Sequence, residues 1–129
     1  ALMERVGGMS AEQAQRLAQK GRRLALSLEE RLGGPQGAIL LMPPHPRPAP
    51  PHRAPYLRPF DFAFTAAFNV MRLPATAVPM GLGTRGLPLA VQVAAARGGD
   101  HLTIAAALLL EEEFGGWRLP PRLEEARAE

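Results

Sequence analysis

The stretch FTAAFNVMRLPATAVPMGLGTRGLPLAVQVA, Phe64 to Ala94, carries two Leu-Pro pairs, Leu73-Pro74 and Leu87-Pro88. Each pair stands ahead of a short apolar run, and the glycine-rich segment GLGTRG separates the runs. Proline lacks a backbone N–H, so it is tolerated at a strand entrance and disfavoured inside a ladder. Strands are therefore predicted over Ala75–Val78 and Leu87–Ala95. GLGTRG is too short to carry a parallel crossover, so the two strands are adjacent and antiparallel, or else diverge.

Before the first Leu-Pro pair, Asp61 is placed to cap a helix. Its apolar residues are Phe62, Ala66 and Val70 on one side and Phe64, Phe68 and Met71 on the other. A helix apolar nearly all round is expected to be deeply buried. Thr65 and Asn69 lie one turn apart on it and need partners there. They either bond neighbouring backbone or help shape a ligand pocket. Beyond the second strand, Gly98-Gly99-Asp100 leads into a helix over His101–Phe114 with Asp100 as N-cap, and Gly115-Gly116 closes it. Trp117 is expected to fold back on its last turn.

Toward the amino terminus, Ser10 and Gln13 form a capping box. Ala14, Leu17, Gly21, Leu24, Leu28 and Leu32 then recur at three- and four-residue steps, which predicts a helix over Ala11–Leu32. Gly21 weakens it, and Gly33-Gly34-Pro35 ends it. Ala38–Met42 (AILLM) is a continuous apolar run, the pattern of a strand buried on both faces in a parallel sheet. The next segment, PPHPRPAPPHRAPYLRP over 43–59, is predicted to be extended. It reads as a covering loop, or as an SH3-type ligand through Pro48 and Pro51.

The 129 residues suffice for one modest core, and a hydrophobic content of 47% excludes general disorder. Fifteen basic residues, all arginine except Lys20, leave a net charge of only +3. Without a clustered patch, nucleic acid is not expected as a partner. The chain has no cysteine, which excludes disulfides and thiol chemistry. The longest apolar run, Leu102–Leu110, falls short of the ~20 residues of a membrane span. ALMERVGG does not read as a signal peptide, and a first residue of alanine suggests a portion of a longer chain.

Chemistry-bearing residues are sparse. The two serines, Ser10 and Ser27, fall on the first helix, away from any glycine-rich elbow. His45, His52, His101, Asp61 and Asp100 share no ligand spacing, so no metal is expected. Glu111, Glu112 and Glu113 diverge around a helix and read as a solvated face. GLGTRG opens no helix, so no nucleotide cofactor is indicated.

One resemblance adds to this. NVMRLPATAVPMG, GLPLAVQV and Asp100-His101-Leu102 opening a helix resemble the carboxy-terminal part of the amidase signature family. The Ala38–Pro46 strand and its prolines, RPFDFAFT (Arg58–Thr65), DHLT (Asp100–Thr103) and FGGW (Phe114–Trp117) are most similar to its fatty acid amide hydrolases, type 2 in particular. The likeness extends from about Gly21 to Pro121. It implies an α/β fold, a mixed sheet with covering helices, incomplete as a domain. Residues 1–121 would be the carboxy-terminal segment of an amidase domain, with 60–114 its helix-strand-strand-helix core and 122–129 a frayed tail.

The resemblance implies an amidase with a Ser-Ser-Lys triad, its two serines in a Gly/Ser-rich signature and its lysine upstream of that. No such stretch is present, and Lys20 has no comparable serine neighbour, so the triad maps onto nothing here. The resemblance therefore implies a parent that cleaves long-chain fatty acid amides through an acyl-enzyme, while this chain is inactive alone. It would contribute scaffold and an acyl-pocket wall at Phe62, Thr65, Ala66 and Phe68. Its implied partners are the missing amino-terminal part of the same domain and, in the parent, the fatty acid amide. The parent would be intracellular and membrane-associated, though the type 2 membrane anchor has no counterpart in this sequence. The alternative is a non-catalytic remnant acting as an interaction module through its proline-rich segment.

Overall fold

A computed structural model describes residues 10–51 and 60–119. Helix α1 spans Ala11–Leu32, the range expected from the sequence. Ser10 Oγ accepts the Gln13 N–H, and the Gln13 side chain accepts the Ser10 N–H, so two donors without intrahelical partners are satisfied reciprocally. At the other end Gly33 turns left-handed, with φ 74°, and its N–H bonds back to the last turn.

Three strands follow: β1 (Leu40–Met42), β2 (Ala75–Leu82) and β3 (Pro88–Ala94), in the sheet order β1-β3-β2. Both pairings are antiparallel, so the expectation of a parallel setting for the AILLM run is corrected. Leu40 stands opposite Ala94 and Met42 opposite Gln92, while Ala75 and Ala77 take the same two partners from the other side. Nor is β1 buried on both faces: Leu41, pointing opposite to Leu40 and Met42, is 50% exposed.

Strand β2 runs through Pro79 rather than stopping before it. The register shifts between Pro79 and Leu82, where a bulge places Met80 and Gly81 against one residue of β3. A proline survives there because β2 has a neighbour on one side only and the ladder is already interrupted. The turn shortens to Gly83–Gly86, closed by Gly86 N–H donating to Gly83 O. The adjacent, antiparallel reading of the two Leu-Pro strands holds.

Helix α2 spans Ala63–Met71 and α3 spans Asp100–Phe114. Helices α1 and α2 lie on one face of the sheet: Ala25, Phe68, Met71, Leu73 and Ala94 form a buried cluster, flanked by Leu28, Leu40, Met42 and Ala67. The opposite face carries Val78 and Val93, both almost fully buried, and Thr76, whose hydroxyl reaches Thr103 on α3. Burial of each valine stabilises by about 1.5–3 kcal/mol. The result is helices on both sides of a small sheet, an α/β arrangement.

Two expected caps are corrected. Phe62 occupies the N-cap of α2 without a side-chain bond, and Gly99 that of α3. Asp61 instead faces Arg47, which binds it through Nε (3.0 Å) and a terminal nitrogen (3.3 Å). The two-pronged ion pair commits the carboxylate to Arg47, and α2 starts without a side-chain cap. Helix α2 is also not deeply buried; Phe62 is 60% and Val70 64% exposed, because the sheet and α1 cover one side only. Residues 52–59 of the proposed covering loop and the expected tail 122–129 lie outside the described residues.

Candidate functional site

Helix α2 decides where the four expected pocket residues stand. Phe62, Thr65 and Ala66 recur at three- and four-residue spacing and share one side of the helix. That side is turned outward: Phe62 and Thr65 are exposed and Ala66 is half-buried. Phe68 lies on the other side, 3% exposed, packed with Ala25, Met71 and Ala94. The structure thus brings three of the four together and places the fourth behind them in the core. Of the two readings for Thr65, bonding to neighbouring backbone is the one observed, since its hydroxyl donates to Phe62 O at 3.0 Å. Asn69 is exposed on the same side.

An apolar cavity of about 260 Å³ lies between α1, α2 and β1, lined by Leu24, Leu28, Met42, Ala67, Phe68 and Met71 among others. Its apolar walls and small size suit a hydrocarbon segment, with Phe68 forming part of the wall from within the core. A second apolar cavity, about 290 Å³, opens between the β2–β3 hairpin and the chain after α3. Pro79, Leu82, Leu87 and Pro88 face Trp117 across it. Trp117 therefore reaches away from α3, and Gly116 takes the place beside the last turn: a Cβ there would come within 2.6 Å of Glu111 Cγ. The sequence signal for this cavity was available in the coincidence of proline-bearing strands with FGGW, but strand pairing was needed to bring them together.

A third cavity, about 340 Å³, differs in character. Arg22 of α1, Arg72 at the end of α2 and Arg97 after β3 surround an apolar wall that includes Ala25, Val70 and Met71. Sequence reasoning missed this cluster because the three arginines are 50 and 25 positions apart along the chain.

Nucleophile and base are not assembled among the described residues. Ser10 Oγ is committed to its cap, Ser27 borders the 260 Å³ cavity beside Arg31, and Lys20 is exposed on α1. No group of three His, Asp or Glu side chains among the described residues converges as metal ligands would. Among them, too, no helix is long and apolar enough to cross a membrane.

Comparison with known proteins gives the following. No family model matches the sequence. The chain is 42% identical over 120 residues to fatty-acid amide hydrolase 2 of Homo sapiens, covering 93% of this chain and 22% of that protein. It is 45% identical over 104 residues to fatty-acid amide hydrolase 2-A of Danio rerio, covering 81% and 19% respectively. Among solved structures, 6-aminohexanoate cyclic dimer hydrolase superposes with a TM-score of 0.76 at 24% identity, over 93% of this chain and 28% of that one. The chain thus spans about a fifth of the length of these curated relatives.

Proposed function

The chain belongs to the amidase signature family, and on that basis we propose that it is the carboxy-terminal part of an enzyme that hydrolyses long-chain fatty acid amides through an acyl-enzyme. The observation that carries this reading is the 42% identity to fatty-acid amide hydrolase 2 along 93% of the chain. Acyl transfer needs an activated nucleophile, its base and oxyanion donors. Ser10 is occupied as a cap, and Ser27 and Lys20 have no partner group among the described residues that would activate them. In this reading the chemistry belongs to the preceding part of the amidase domain, and this chain supplies sheet, covering helices and pocket wall. Phe62, Thr65 and Ala66 face the acyl chain from α2, and Phe68 supports them from the core.

The test is a chimera in which this chain replaces the matching 120 residues of the human relative. Oleamide hydrolysis within about tenfold of the parent is expected. A chimera that folds and carries no hydrolysis overturns the proposal. Within an active chimera, Phe62→Asp should raise KM for oleamide while leaving short amides unaffected. The isolated chain should take no label from a fluorophosphonate probe; labelling of Ser10 or Ser27 would refute its non-catalytic role.

A further inference from the structure

The 340 Å³ cavity bordered by Arg22, Arg72 and Arg97 is not used by the reading above. Its floor is apolar, with Ala25 2% and Met71 5% exposed, and Val70 and Leu26 stand at its side. Three elements that are distant in sequence thus place three exposed arginines at the border of one greasy hollow. Glu29 is the acid in contact with this set, and it is already engaged: one of its oxygens accepts the Arg97 N–H at 3.2 Å and lies 3.6 Å from Arg97 Nε. Arg22 and Arg72 make no ion pair among the described residues. Positive charge therefore remains in excess around the hollow.

Arg72 adds a second, independent observation. It is the non-glycine residue with positive φ in the described structure, at φ 56° and ψ 41°, and it closes α2 in a left-handed C-cap. Glycine is the residue this conformation favours, and a side chain there carries strain. The cavity is thus bordered by an arginine held at a backbone position where a glycine would be less strained. Guanidinium groups in a fork geometry match oxyanions, and an apolar wall beside them matches hydrocarbon.

We propose that this cavity binds an amphiphilic anion, a carboxylate or phosphate head bearing an apolar chain. The head would meet Arg22, Arg72 and Arg97, and the first methylenes would lie on Val70 and Met71. The site lies at the carboxy-terminal end of α2, where Val70 continues the side that carries Phe62 and Ala66 one turn beyond Ala66, and it does not depend on the amide-hydrolase reading.

Titration of the chain with octyl phosphate, followed by the methyl resonances of Val70 and Met71, tests it. Saturable shifts are expected, with inorganic phosphate and octanol each binding at least about tenfold more weakly. Equal binding by inorganic phosphate, or no saturation by octyl phosphate, overturns the proposal. Vesicles containing phosphatidic acid distinguish the source of the head group. Binding to monomer and vesicle alike supports the site, whereas binding to vesicles alone assigns the charge to a bilayer surface and removes the cavity. Arg72→Gly is the decisive variant, because it relieves the left-handed strain while deleting one guanidinium. Thermal stability should stay level or rise while affinity falls about tenfold. Unchanged affinity in a folded Arg72→Gly chain overturns the role given to Arg72 and with it the site.

Discussion

Thr103 is 2% exposed, and its hydroxyl serves two bonds: it donates to Asp100 O at 2.9 Å and accepts from Thr76 at 3.0 Å. Thr103→Val removes the acceptor that Thr76 uses, and should destabilise by about 1–2 kcal/mol in a thermal melt. Replacing Thr76 by valine as well should recover part of that loss, because both polar groups then leave the partly buried contact together. Gln92 presents the reverse case. Its amide nitrogen is buried in the sheet with no partner among the described residues. Gln92→Met keeps length and removes the unpaired donor, so a gain of about 1 kcal/mol is expected in a denaturant titration. A loss of similar size would show that the amide is satisfied in solution. Neither pair of facts was legible in ATAV and LAVQVA, where threonine and glutamine read simply as members of apolar runs.

Helix α1 shows how much of an element local chemistry specifies. Its start at the Ser10 box and its stop at Gly33-Gly34 follow from caps, and both ends fall where the pattern places them. Gly21 reads differently in the fold. From sequence it only lowers helix propensity, by about 1 kcal/mol. In the structure it is the crossing point with α2: a Cβ on Gly21 would stand 2.8 Å from Val70 Cγ1. Gly21→Leu should therefore separate the two helices and destabilise by about 1–3 kcal/mol, despite improving α1 itself. Chemical denaturation checks the sign. The proline segment is tied at the same level of organisation by the Arg47–Asp61 pair, whose side chains are 43% and 20% exposed. Asp61→Ala should loosen residues 43–51, seen as motional averaging of the His45 ring and Ala49 methyl resonances, with little change in global stability because the pair is partly solvated.

At the scale of the whole molecule, apolar surface is left without cover. Ile104, Leu108 and Leu109 of α3 are 54%, 62% and 68% exposed, on the side turned away from the sheet, and Leu41 is half exposed on β1. Surface of this kind favours association. The purified chain should self-associate as its concentration rises, and Leu108→Glu should shift sedimentation toward the monomer without lowering the melting temperature. A wild-type chain that remains monomeric at high concentration would show that this surface is inert. The exposure also accounts for a misreading: α2 and β1 are apolar enough to be buried on all sides, yet α1, β3 and the sheet cover only one.

Local pattern was enough for both ends of α1, the carboxy-terminal stop of α3, the strands on either side of the glycine-rich turn, the α/β class and the kinship carried by the Leu-Pro strands. These depend on caps, turns and periodicity, which act over a few residues. Tertiary structure alone decided the antiparallel docking of β1 on β3, the bulge that admits Pro79, the exposed side of α2 and the meeting of Arg22, Arg72 and Arg97. Those features depend on contacts between segments tens of residues apart, and the pattern within each segment holds no record of its neighbour.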